Sequence, residues 1–132
     1  MKDGFYKEDL VDGMKSEATY KDGKLHGKET IWHKNGQVIS EATWEDGGLE
    51  GETKTWNEFG QLIGLATYKN DMLHGKSTLW NDEGQLLSET MFEEDRPFGK
   101  FTIYKDGVKS KEGIASYPKG DSPYNTDGGS VN

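Results

Sequence analysis

Apolar and polar positions along this chain follow a long period rather than a helical one. Aromatic residues recur at Tyr20, Trp44, Tyr68 and Phe92, each 24 residues after the last, and a second set recurs at Trp32, Trp56, Trp80 and Tyr104 with the same spacing. Glycines keep the phase at Gly27, Gly51, Gly75 and Gly99, and a further set at Gly36, Gly60 and Gly84 slips one place to Gly107. Leu25, Leu49 and Leu73 hold the period until Pro97 breaks it. Self-similarity at a fixed spacing of this length marks an array of supersecondary units.

Each unit reads as two strands and two turns. Lys28-Glu29-Thr30-Ile31-Trp32-His33 and the stretch from Gln37 to Trp44 are rich in β-branched and aromatic residues, the composition that suits a pleated, half-buried surface. Lys34-Asn35-Gly36 lies between them and Glu45-Asp46-Gly47 follows. Asn-Gly and Asp-Gly supply the positive φ that tight hairpin turns need. No segment between turns holds a 3.6-residue apolar period long enough for a helix. The stretch from Gly4 to Glu17 reads as a shortened hairpin around Asp12-Gly13, and Lys100 to Tyr117 as a last hairpin around Asp106-Gly107. The expected fold is all-β: a repeat protein forming a single elongated twisted antiparallel sheet of consecutive β-hairpins, about ten strands in all. Residues 1–117 form this domain, with partial units at both ends. Residues 118–132, containing Pro118, Pro123 and Asp127-Gly128-Gly129-Ser130, read as a flexible or loosely packed tail that Tyr124 is placed to dock.

Alternation along the strands suggests how a thin sheet holds together. Trp32, Trp56, Trp80 and Tyr104 stand on one face of equivalent strands. Tyr20, Trp44, Tyr68 and Phe92 belong to the strands between, where Ala42, Gly64 and Ala66 leave room for rings. The expectation is one ladder of aromatics on one face. Ile31, Thr55, Leu79 and Ile103 fall opposite, with Ile39, Ile63 and Leu87 on the neighbouring strands. In a single layer that apolar face stays open, and open apolar patches mark interaction sites, unless twist, tail or self-association covers it.

Hydrophobic residues are 31 % of the chain, below the ~45 % of ordinary globular proteins, so a thick core is not expected. Four Trp, six Tyr and five Phe nevertheless separate it from disordered chains, which are poor in aromatics. The formal net charge is −8, from 16 basic and 24 acidic residues, and Arg96 is the only arginine. Such a surface repels phosphate, which argues against nucleic acid and anionic membrane and for a basic protein partner. With no cysteine, disulfides and thiol chemistry are excluded. Met1-Lys2-Asp3-Gly4 has no apolar signal region and no apolar run approaches a membrane span, so the expected location is cytoplasmic unless a leader has been removed.

Chemistry-bearing patterns are thin. His26 and His74 occupy equivalent positions two repeats apart, roughly 19 Å on a regular sheet, and cannot share a metal; Glu50 between them and the separate His33 do not complete a site. Gly75-Lys76-Ser77 resembles the end of a phosphate loop, but Asn70 stands where that loop needs glycine and a strand follows in place of a helix. No serine has a credible histidine and acid beside it. The chain reads as non-enzymatic, with no catalytic, cofactor or metal residues. Two acidic groups remain, Glu45, Asp46, Glu50 and Glu52, and Glu93, Glu94 and Asp95. They are either solvated turns or an acidic edge that meets a basic partner. Together with Ile31, Leu79 and Ile103 they are the candidate binding residues.

The string Tyr20-Lys21-Asp22-Gly23-Lys24-Leu25-His26-Gly27-Lys28, echoed by Tyr68-Lys69-Asn70-Asp71-Met72-Leu73-His74-Gly75-Lys76, resembles the MORN repeat, and more closely its longer bacterial variant. The resemblance covers about Ser16 to Tyr117. Asp71 and Asp95 depart from it where glycine is expected, as does Arg96-Pro97-Phe98. It implies a twisted sheet of stacked hairpins. It also implies a function, since chains of this kind are often described as YwqK-like antitoxin or immunity proteins. The expected activity is therefore that of a protein-binding module, an antitoxin or immunity protein neutralising a basic toxin by contact. The alternative is a structural or adhesive cell-associated scaffold, with homo-oligomers open. A carbohydrate or choline binder ranks last, because the aromatics are spread along the strands rather than clustered.

Overall fold

The computed structural model describes residues 2–116; the expected tail at 118–132 lies outside the described residues. The strands are β1 (Gly4–Asp9), β2 (Lys15–Lys21), β3 (Lys24–Leu25), β4 (Gly27–Trp32), β5 (Val38–Glu45), β6 (Gly48–Leu49), β7 (Gly51–Trp56), β8 (Leu62–Lys69), β9 (Met72–Leu73), β10 (Gly75–Trp80), β11 (Leu86–Glu93), β12 (Arg96–Lys105) and β13 (Val108–Ala115). They form one 13-stranded antiparallel sheet in the order β1-β2-β4-β5-β7-β8-β10-β11-β12-β13, with β3, β6 and β9 pairing back on β2, β5 and β8. The expected all-β hairpin array is what the chain forms. No second layer covers it among the described residues, and the buried side chains are small: Ala18, Ala42, Thr78 and Thr102.

The two long edges of the sheet are built by different turns. On one edge lie the tight turns after β2, β5, β8 and β11. Asp22 and Gly23, Asp46 and Gly47, Asn70 and Asp71, and Glu94 and Asp95 all have positive φ, as two-residue hairpin turns matching strand twist require. Successive turns stack on the repeat before: Gly47, Asp71 and Asp95 donate their backbone N–H to the carbonyls of Leu25, Leu49 and Leu73 at 3.0, 2.9 and 3.1 Å. This explains the two departures from glycine. Asp71 and Asp95 return a carboxylate oxygen to the N–H of Leu49 at 2.9 Å and of Leu73 at 2.7 Å, a bond glycine cannot make. On the other edge, Asn57 Oδ1 accepts the N–H groups of Phe59 and Gln61 at 3.0 Å each, and Asn81 does the same for Glu83 and Gln85 at 2.9 and 3.0 Å.

Asp71→Ala loses the carboxylate bond while keeping a β-carbon in the left-handed region. Asp71→Gly loses the bond but relieves the backbone. The alanine variant is expected to be less stable than wild type by about 1.5 kcal/mol and the glycine variant by about 0.5 kcal/mol. Urea melts check the order; equal losses would mean the backbone conformation is not what the turn stores.

Register corrects the single aromatic ladder. Gly27 pairs with Trp44 and Ile31 with Ser40, so Trp44 and Ile31 share a face while Trp32, one residue on, points to the other. Continued through the pairs Ser40–Thr55, Thr55–Gly64, Gly64–Leu79, Leu79–Ser88 and Ser88–Ile103, the same parity holds across the sheet. There are therefore two aromatic rows on opposite faces: Trp32, Trp56, Trp80 and Tyr104 on one, Tyr20, Trp44, Tyr68 and Phe92 on the other. A β-bulge next to each residue of the first row adds one residue to the return strand. Counting positions in sequence between the two rows therefore gave no safe guide to their relative face. By the same alternation Ile39, Ile63 and Leu87 fall on the Trp32 side, not beside Ile31.

Candidate interaction surface

The two faces differ in chemistry. The Trp32 face carries ion pairs between cross-strand lysines and glutamates: Lys7 with Glu17 at 3.6 Å, Lys28 with Glu41 at 3.2 Å and Lys76 with Glu89 at 2.9 Å. The Lys76 ammonium, outweighing partial burial, holds the Glu89 carboxyl below its usual range, aided by a 3.1 Å hydrogen bond donated by the Tyr104 hydroxyl. Burial, and then that same carboxylate, push the Tyr104 hydroxyl up. Glu52 lies on this face beside Lys28, Glu41 and Lys54. Exposed pairs of this kind contribute little each; together they keep one side of a one-layer sheet wet.

On the opposite face the strands from β7 to β11 present no charged side chain. Three rows run across them. One joins the rings and the leucines of the short strands, Tyr68 pairing with Gly51 and Leu73, and Trp44 with Gly27 and Leu49. The next is small and hydroxylated: Thr53 pairs with Ala66, and Ser77 with Thr90. The third contains Ile31, Thr55, Gly64, Leu79 and Ile103. The small middle row leaves a trough of about 340 Å³ between the outer two, walled by Tyr68, Leu73 and Phe92 on one side and by Thr55, Leu79 and Ser88 on the other. Leu79 is 51 % exposed and Ile103 42 %. Thr53 Oγ1, at the trough floor, is shielded and has no hydrogen-bond partner among the described residues, which is uncommon for a buried hydroxyl. A larger cleft of about 450 Å³ is lined by Lys7, Glu8, Asp9, Lys15, Ser16 and Glu17, with Trp32 as its one large apolar side chain; its lining is mostly charged.

The acidic candidates are brought to the edge of tight turns, but not as a continuous strip. Glu45 and Asp46, and Glu93 and Glu94, sit on the second and fourth of these turns, with Lys21 and Lys24 at the first and Lys69 at the third; a β-carbon at Gly47 would lie 3.6 Å from Lys24 Cβ. Glu50 and Asp95 have structural partners, since Glu50 Oε1 accepts the Asn70 N–H at 3.0 Å and Asp95 Oδ1 that of Leu73. Among the described residues no group of three or more His, Cys, Asp or Glu is placed to hold a metal ion. Among the described residues no helix is long and apolar enough to cross a membrane. Sequence reasoning missed the trough floor, Thr53, Ser77 and Thr90. The signal available was the run of small residues at the same phase of successive strands.

The family model described as MORN repeat variant matches residues 25–46, 49–70 and 73–94. The chain belongs to that family. Each matched copy begins at the leucine of a short strand and ends in the next tight turn, so a MORN repeat here is one short strand, one hairpin and a closing turn that stacks back on the leucine that opens the same copy. The trough falls on the second and third copies. The hairpins β1–β2 and β12–β13 lie outside the matches yet continue the same register. Comparison with curated proteins finds none similar to the chain.

Proposed function

We propose that this MORN-repeat chain is a protein-binding module whose uncharged trough seats an apolar segment of its partner. The observation that carries the reading is the pair of exposed apolar residues Leu79 and Ile103 along an uncharged trough on a sheet over which no second layer packs among the described residues. Open apolar surface bordered by small hydroxylated side chains gives an anchor site its area and its water-excluding fit. The chain holds no catalytic constellation in this reading and works by contact alone. The net charge of −8 and the glutamates of the turn edge favour a basic partner, whose encounter they steer. A partner of that charge fits the finer reading, an antitoxin or immunity protein that neutralises a basic toxin. The two edge strands, β1 and β13, which no other strand pairs on their outer side among the described residues, favour the second reading, a structural scaffold assembled from repeats.

The test uses the full chain and Leu79→Glu as baits in parallel, washed at low and high salt. A basic protein held by the wild type, released by salt and reduced at least about tenfold on Leu79→Glu supports the trough. Toxicity of that protein in cells, relieved by co-expression of the chain, supports the immunity reading. Capture unaffected by Leu79→Glu overturns the trough as the site.

A further inference from the structure

Repeat proteins normally end in atypical units, because an uncovered edge strand presents a row of unpaired N–H and C=O groups. Here the first and last hairpins of the described residues keep the repeat's register. Among the described residues β1 and β13 are the edges of the sheet, and both show outward apolar side chains, Phe5 at 58 % exposure and Ile114 at 78 %. Inside the sheet one pairing rule joins each hairpin to the next. Ser40 faces Thr55 and Glu41 faces Lys54 between β5 and β7. Leu79 faces Gly64 between β10 and β8, and Ser88 faces Ile103 between β11 and β12. Lys111 pairs with Ile103 as Ser40 pairs with Ile31, and Glu8 pairs with Ser16 as Thr55 pairs with Gly64. β13 thus stands where β5 stands, and β1 where β7 stands.

Applying that rule to β13 of one copy and β1 of a second places Lys111 opposite Glu8, Glu112 opposite Lys7 and Ile114 opposite Phe5. Asp9 then comes beside Lys109, where the bulge between Ile103 and Tyr104 shifts the strand. Tyr6 faces Gly113, over which the Phe101 ring already lies: a β-carbon at Gly113 would meet Phe101 Cζ at 2.9 Å. The strand directions also fit, since hairpins alternate through the sheet and β13 meets β1 antiparallel. The geometry points to head-to-tail association of this chain through β13 and β1, continuing the sheet from copy to copy.

Every charged residue at that junction meets its opposite, and the apolar pair and the ring meet partners of their own kind. Pairing either edge with itself does worse. β13 turned on its own middle sets Lys109 against Ile114, and β1 turned on its own middle sets Phe5 against Glu8 and Gly4 against Asp9. The contacts given up are exposed and weak: Lys109 with Glu112 at 3.9 Å and Lys7 with Glu17 at 3.6 Å. The operator relating copies is a repeat step with sheet twist, which does not close on two, so the assembly is open-ended.

Sedimentation of the full chain across a concentration range tests this. The expected result is a series of dimers, trimers and longer species that dissociates on dilution. Reversing β1 with Glu8→Lys and Asp9→Lys, or β13 with Lys109→Glu and Lys111→Glu, weakens association by about tenfold or more, because two attractive cross-strand pairs become repulsive. These side chains are exposed, and unchanged circular dichroism confirms that the sheet is intact. Mixing the two reversed variants, or combining all four substitutions in one chain, restores association, since every junction again joins opposite charges. A monomer at all concentrations, a dimer that grows no further, or reversed variants that fail to recover on mixing overturns the proposal. The Leu79→Glu result is independent of it, since Leu79 lies on neither edge strand.

Discussion

Trp44→Ala is expected to cost about 3 kcal/mol and to open the sheet locally around the first matched repeat rather than everywhere at once. The Trp44 ring stands on the face opposite Trp32, with Leu49 beside it on one strand and glycine, which has no side chain to replace the ring, on the other. Its indole N–H donates to Glu29 Oε1 at 3.1 Å. Truncation uncovers Ala42, one of the few buried residues, and leaves Leu49 without its neighbour. In a one-layer repeat array each unit touches only the units beside it, so stability is close to a sum of local terms. A loss of this size is a large part of the 5–15 kcal/mol that holds an ordinary domain together. Native-state hydrogen exchange checks the claim: protection in β4, β5 and β7 should fall by about two orders of magnitude, and in β12 and β13 by much less. Equal losses in both regions would show that the sheet opens as one unit.

Gly75→Val is expected to be comparably damaging, by about 3 kcal/mol, for a reason that has nothing to do with space. Gly75 has φ +94°, and a β-carbon there would have only Thr67 Cβ within reach, at 3.8 Å. A β-carbon has room; the backbone does not accept it, because a β-branched residue at that φ is strongly strained. The conformation is needed where the short strand β9 hands over to β10, and His74 N–H bonds the Thr67 carbonyl at 2.9 Å across this corner. Gly27, Gly51 and Gly99 share it, at φ +86°, +95° and +107°. Gly75→Ala should lose about half as much. Thermal melts of the two variants decide: an alanine variant as stable as wild type would mean that the corner relaxes and the positive φ is not required.

The hairpin array was legible in the sequence because its determinants are local. A 24-residue return of rings, glycines and leucines specifies strand, turn and repeat without reference to contacts. Asp-Gly pairs carry the left-handed turns, and the partial units at both ends were readable around Asp12-Gly13 and Asp106-Gly107. The apolar row of Ile31, Leu79 and Ile103 was likewise readable from alternation within single strands.

What lay beyond the sequence depends on how strands meet. Whether two aromatic rows share a face is set by cross-strand register, and the bulge beside each Trp32-type residue shifts that register by one. The roles of Asp71, Asp95 and Glu50 were hidden because their partners lie 20 or 22 residues away in the chain, but one strand spacing away across stacked turns. The acidic runs, which the sequence left as either solvated turns or an acidic edge, lie on turns that alternate with those bearing Lys24 and Lys69, since stacking places each turn beside the next repeat's turn. The trough arises from small residues on four strands falling into one row, which no single strand reveals. The sequence alone determined the units and their order, because those rest on local backbone preference. The tertiary structure decided the faces, the trough and the turn stack, because those rest on the pairing of distant strands.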